Sequence, residues 1–249
     1  MTAGDLAAGD LTTGDTTDST VETAFAGALS KSQLAYDYLR DRIALHELSP
    51  GYRLVLQSIA DELAMSVVPV REAIRRLEAE GLLTHEPRRG LSVSRPDHSQ
   101  IVELYVMREI LEGAAARLAA QHASETEIAA MEELVAGEPA VFADAPKLAA
   151  VNQRLHGLLY LAAHNRYLLR SLEQLSATMA LLPSLLTFGG RARQAHEEHL
   201  ALLAALRARD GAAAEEAAKA HSRAAQRQRL AWLIQVSGVP LAAPGADMT

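Results

Sequence analysis

Two hydrophobic patterns divide the chain. From about residue 98 onward, apolar positions recur at helical spacing with no alternating stretch. They predict helices near 98–122, 124–136, 145–164, 167–187, 191–209 and 211–235. Capping and turn residues mark the ends. Ser124-Glu125-Thr126-Glu127 has the form of a capping box, and Asp144 precedes Pro146 at a helix start. Asn165 and Gly189-Gly190 separate neighbouring helices, and Asp210-Gly211 makes the last turn. Six helices with short links predict an antiparallel bundle.

Residues 31–96 read differently: helix, helix, helix, hairpin. Leu34, Tyr38, Ile43 and Leu45 give an imperfect stripe on a first helix over about 32–47, stopped by Ser49-Pro50-Gly51. A short helix runs from Ser58 to Leu63, and Ala64-Met65 makes a tight connection. Ser66 is a good N-cap for a third helix, and Pro69 falls in its first turn, where a missing N–H breaks no bond. Val70, Ile74 and Leu77 face inward, and Gly81 stops the helix. Leu82–Glu86 and Leu91–Ser94 then read as two short strands around Pro87-Arg88-Arg89-Gly90. The expected fold is mainly α: an N-terminal winged helix-turn-helix unit over 30–96, then an all-α bundle over 98–235. Residues 1–29, acidic and rich in Thr and Gly, read as a disordered tail, and 236–249 as a flexible end.

Composition narrows the chemistry. The 249 residues include no cysteine, which excludes disulfides, thiolate metal sites and cysteine nucleophiles. Hydrophobic residues make up 49%, enough for a sizeable core, yet no apolar run approaches a membrane span. A soluble, cytoplasmic protein is expected. The net charge of −7 is uneven: residues 1–30 hold five acids and no base, whereas 31–95 hold ten bases and nine acids. A near-neutral segment can still present a basic face.

That face is expected on the third helix of the first unit. The inward stripe leaves Val67, Arg71 and Arg75 on another side, with the arginines one turn apart. In a winged helix-turn-helix order this helix enters the major groove, and the hairpin with Arg88, Arg89 and Gly90 lies over phosphates or the minor groove. The bland alternative pairs Arg71 with Glu78 or Asp61 and leaves Arg75 and Arg76 solvated. Leu48-Ser49-Pro50-Gly51-Tyr52-Arg53-Leu54, Ile59-Ala60-Asp61-Glu62-Leu63 and Pro69-Val70-Arg71-Glu72-Ala73-Ile74-Arg75-Arg76-Leu77-Glu78-Ala79-Glu80-Gly81-Leu82 resemble the GntR superfamily of bacterial transcription regulators. The resemblance implies that Ser66 and Arg71 contact DNA, with Arg75 and the wing arginines near phosphate. Two positions depart from it. Val67 stands where arginine is common, and can meet only a thymine methyl. Ala64 replaces the usual turn glycine, which predicts a turn without positive φ.

The second constellation lies in the bundle. His199 and His221 stand eleven residues before and after Asp210. Antiparallel helices leaving that turn bring them level, about 16 Å from the apex. Asn152 and His156 share a face of a third helix. Three imidazoles and an oxygen donor can hold a transition metal, or be unrelated polar residues. The remaining histidines, His46, His85, His98, His122, His164 and His196, read as surface or cap residues.

Residues 101–230, through Leu104-Tyr105-Val106-Met107-Arg108-Glu109-Ile110-Leu111-Glu112, Asn152-Gln153-Arg154-Leu155-His156, Glu198-His199 and Ala220-His221, resemble the FCD ligand-binding domain of the FadR branch. The resemblance implies a divalent metal (zinc first, nickel or manganese as alternatives) on Asn152, His156, His199 and His221, with Asn152 where aspartate is usual. It also implies that Arg108 binds the carboxylate of a small organic or sugar acid near those four residues. The bland role of Arg108 is a surface pair with Glu112. The expected function is a homodimeric, ligand-responsive repressor of a double-stranded operator, not an enzyme. The alternatives are a metal-dependent hydrolase on the three histidines and an acyl-CoA-responsive regulator without metal. No carboxylate is placed by spacing as a general base beside the histidines.

Overall fold

A computed structural model describes residues 30–86 and 90–237. The expected disordered tail, the wing residues Arg88 and Arg89, and all but the start of the expected flexible C-terminus lie outside the described residues.

Helix α1 (Lys31–Ala44) begins where the Ser30 hydroxyl accepts the Gln33 N–H. Its buried positions are Ala35, Tyr36, Leu39 and Ile43, while Leu34 and Leu45 are exposed. Of the expected stripe only Ile43 is in the core; the true face is set by Tyr36, Leu39 and Ile43 at i, i+3, i+7. Helix α2 (Leu56–Glu62) starts two residues earlier than expected. The turn after it does contain a positive φ, +50° at Ala64, against expectation. The bonds Ala64 N–H to Asp61 O and Met65 N–H to Ala60 O close the helix end, and that closure needs a left-handed residue. Alanine accepts it at a cost of about 1–2 kcal/mol.

Helix α3 (Val67–Ala79) buries Val70, Ala73, Ile74 and Leu77. Gly81, at φ +76°, ends it as its N–H meets Glu78 O and that of Leu82 meets Leu77 O. Strands β1 (Leu83–Glu86) and β2 (Gly90–Val93) pair antiparallel with Leu83 opposite Val93. Residues 51–54 extend this ribbon through Gly51 N–H to Val93 O and Leu54 N–H to Leu91 O.

Helix α4 (His98–His122) opens with a reciprocal cap between Asp97 and Gln100. Helices α5 (Glu125–Gly137), α6 (Ala145–Ala162), α7 (Arg166–Met179), α8 (Arg191–Arg207) and α9 (Gly211–Ser237) follow. Ser124 and Glu127 form the expected capping box, and Asp210 Oδ1 accepts the N–H groups of Ala212 and Ala213 at the α8–α9 turn. A short 3₁₀ turn, Glu138–Val141, was not expected. Helix α7 ends eight residues before position 187, because Pro183 lacks an N–H and disfavours helix at Leu182. Helix α4 packs along α9, with Ala115, Ala116, Ala119 and Ala120 facing Ala214 and Ala218 in one core. Small side chains let these backbones approach closely.

The two cores are separate but joined at one point. Leu181, just past α7, is 1% exposed and belongs to the core of the first unit, with Ala177 against it. No helix of the described residues is long and apolar enough to cross a membrane.

Candidate metal and DNA-binding sites

The equal spacing about Asp210 does bring His199 on α8 and His221 on α9 together, with ring centroids 4.8 Å apart. His156 on α6 lies 5.2 Å from His221 and 5.9 Å from His199. One ring nitrogen from each of the three lies within 4.8 Å of the others. All three residues are buried. Around them is a cavity of about 10 Å³, walled also by Leu155, Leu159, Leu202 and Ala218. That is room for one water-sized atom or ion.

Each imidazole faces its own carboxylate. His199 Nδ1 donates to Glu138 Oε1 at 2.7 Å, which leaves Nε2 as the lone-pair nitrogen. His221 Nδ1 donates to Glu198 Oε2 at 2.8 Å, and Arg191 holds that oxygen at 2.6 Å. His156 Nδ1 lies 3.2 Å from Glu112 Oε1 but off the line of a hydrogen bond. Three buried polar atoms of the expected ligands have no partner among the described residues: Asn152 Oδ1, His156 Nδ1 and His199 Nε2. Asn152 stands one turn before His156 on α6.

Arg108 is not in a surface pair. Its Nε meets Glu112 Oε1 at 3.0 Å with side chains 14% and 2% exposed, and its Nη2 lies 3.4 Å from His156 Nε2. Glu112 also accepts from the Tyr160 hydroxyl at 2.5 Å and the Ser222 hydroxyl at 2.8 Å. Burial pushes the Glu112 carboxyl up, but Arg108 and then His156 and His221 outweigh it, and it lies well below 4.5. Burial raises Glu198 over the opposing pull of Arg191. Sequence reasoning placed no carboxylate beside the histidines; the structure places three. Glu138 follows a helix end, Glu198 adjoins His199, and neither lies in an apolar stripe. Of the six histidines read as surface or cap residues, His196 differs: it is half-buried and bonds Glu138 at 2.9 Å.

Burial lowers the pKa of both His199 and His221, the latter well below 6.5, so both are neutral and their lone pairs are free. Because the folded values lie below the unfolded 6.5, the unfolded chain takes up protons first as pH falls. Their contribution is complete above the unfolded value and is lost as pH drops towards the folded ones. Metal-free protein is therefore expected to show a lower urea midpoint at about pH 5.5 than at about pH 7.5. An unchanged midpoint would mean that these rings accept a charge where they stand.

On α3, Ser66 occupies the N-cap position without a side-chain cap bond, and is exposed. Arg71 and Arg75 are exposed, and among the described residues neither is ion-paired, with Glu78 and Asp61 included. Arg76 turns back, stacking 4.0 Å over Tyr36 and donating to Gln33 at 2.8 Å. Val67, one turn before Arg71, is partly buried against the core. Val68, 60% exposed, also lies on the arginine side, three and seven residues before Arg71 and Arg75. Gly90 opens β2 with φ +78°.

The model of the gntR family of bacterial regulatory proteins matches residues 31–93, and that of the FCD domain matches 103–224. The chain is 32% identical over 191 residues to a probable D-xylose utilization operon transcriptional repressor of Paenarthrobacter nicotinovorans, spanning 74% of this chain and 82% of the relative. It is 29% identical over 191 residues to the HTH-type transcriptional regulator YdhC of Bacillus subtilis, spanning 75% and 85%. Among solved structures it is similar to Escherichia coli McbR at a TM-score of 0.69 and 26% identity, covering 84% of this chain and all of that one. The chain thus belongs to the gntR family of bacterial regulatory proteins and carries an FCD domain; it is a DNA-binding transcription regulator, not a hydrolase.

Proposed function

We propose that the protein is a homodimeric repressor whose hold on a double-stranded operator is set by a small organic or sugar acid at a divalent-metal site. The observation that carries this is the convergence of three buried imidazoles on an ion-sized cavity. The donor set fits a transition metal: three imidazoles with a nitrogen each close to one point, His199 Nε2 among them without a partner, and an orphaned Asn152 Oδ1 on the same helix face as His156. Asn152, His156, His199 and His221 would hold it, zinc first, with nickel or manganese as alternatives. When bound, the ion supplies a coordination position that a carboxylate oxygen can take.

The protein's own groups do the rest. The cavity has room for an ion but not for an organic acid, so an effector would meet the ion from outside it, where Arg108 Nη2 stands beside His156 while its Nε keeps Glu112. Arg108 would then grip the effector carboxylate in a bidentate bond. Coupling to DNA then requires that effector and operator favour different arrangements of the chain. An exposed apolar stripe on α4, Val106, Met107 and Ile110, suits a second copy of the chain. Pairing recognition helices across a two-fold axis matches a palindromic operator. Such a regulator works on chromosomal DNA in the cytoplasm.

At the DNA face, Ser66, Arg71 and Arg75 would meet the groove or its phosphates, with Gly90 and the wing arginines beside it. Arg71→Ala should cost about 1–3 kcal/mol of specific binding, read as operator affinity after selection from a random library. Val68→Ala should alter base preference at one position per half-site, whereas Val67→Ala should lower stability and leave preference unchanged. Full operator affinity in Arg71→Ala would remove α3 as the recognition helix.

A further inference from the structure

The four proposed ligands are all neutral: one amide and three imidazoles. They bring no negative charge to a divalent cation. Of the three carboxylates just outside them, two already face an arginine. Glu112 is held by Arg108 and Glu198 by Arg191, at 3.0 and 2.6 Å. Glu138 is different. Its side chain is 2% exposed, and its oxygens meet only imidazoles, His199 at 2.7 Å and His196 at 2.9 Å. Among the described residues no lysine or arginine reaches it.

A buried carboxylate without a cation is costly to the fold. The 3₁₀ turn that carries it packs against α5, α6 and α8, so it is built into the bundle rather than stranded at an edge. Hydrogen bonds from His199 and His196 hold the carboxylate in place, but no fixed positive charge stands beside it among the described residues. His199 gives its Nδ1 proton to Glu138, and its Nε2 is buried without a partner. A cation on that nitrogen would face the carboxylate across one ring.

We infer that Glu138 is the positioning residue of the metal site: it holds His199 with Nε2 towards the ion and supplies, one shell out, the negative charge that Asn152 does not. The inference rests on the metal reading above. It separates charge from geometry: removing the charge while keeping the acceptor weakens the ion's hold, and a charge placed in the ligand set restores it.

The test uses the full-length protein and zinc alone, with affinity measured by competition against a chromophoric chelator. Glu138→Gln keeps an acceptor for His199 but loses the charge. It should weaken zinc binding about 10- to 100-fold. Its metal-free melting temperature reports any structural cost separately from the loss of zinc affinity. Asn152→Asp, placed in the Glu138→Gln background, should recover most of the lost affinity by putting the charge into the ligand set itself. Should Glu138→Gln alone fail to fold, Asn152→Asp/Glu138→Gln is compared with Asn152→Asp, and the two should bind zinc with similar affinity. Wild type that binds zinc, with Glu138→Gln within twofold of it, overturns the role of Glu138 alone. So does Asn152→Asp failing to restore affinity. Wild type that takes up no zinc overturns the metal reading, and this inference with it.

Discussion

In a His199→Ala variant, the metal-dependent rise in melting temperature is expected to vanish. An ion that binds only the folded chain stabilises it by mass action, about 2.7 kcal/mol at a hundredfold excess over Kd. For a chain of this size that is roughly 5–10 °C. His156, His199 and His221 sit on α6, α8 and α9, so an ion shared by them ties three helices together. Losing one imidazole removes the ligand with the free Nε2 and also one of the two partners of Glu138. The metal-free variant will melt lower for that reason. The comparison is therefore the shift on adding metal within each protein, which cancels the baseline. Operator binding without effector should survive, since the winged unit has its own core. A full metal shift in His199→Ala would detach the histidines from metal binding.

Arg108→Ala is expected to be the most damaging single change in the bundle, at about 3–5 kcal/mol. The loss is not of the bond itself but of compensation: Glu112 stays 2% exposed, and the groups left beside it are hydroxyls and a histidine. If charge is the cause, Arg108→Met with Glu112→Gln should be markedly more stable than Arg108→Ala, because neither group then needs a counter-ion. Denaturant midpoints of the three proteins decide this. Equal destabilisation in the single and double variants would point to lost packing. Either variant should also lose effector response, since no guanidinium remains to grip a carboxylate.

What could be read from the sequence was whatever is local or symmetric about a turn. Ser124 and Glu127 announce their cap three residues apart, and Asp210 marks the apex from which His199 and His221 are equidistant. What escaped depends on partners far along the chain. Val67 and Val68 are chemically identical, and only the core under α3 decides which turns outward. Leu34 and Leu45 are apolar yet exposed, so composition misplaced the face of α1. Glu112, Glu138 and Glu198 look like ordinary surface acids in sequence; burial beside histidine and arginine is a property of the assembled bundle. The helix expected over 167–187 includes Leu181, but Pro183 does not allow it to continue that far.

That leucine bears on how such regulators can be cut and recombined. Chain connectivity invites a boundary at Pro96, between the winged unit and the bundle. Packing draws it elsewhere: a fragment ending there leaves behind a fully buried side chain supplied from 85 residues downstream. The orphaned socket would be lined by core side chains and open to water. A hybrid that grafts this DNA reader onto another sensor must therefore bring the end of α7 with it, or fill the socket with a larger residue from within the reader.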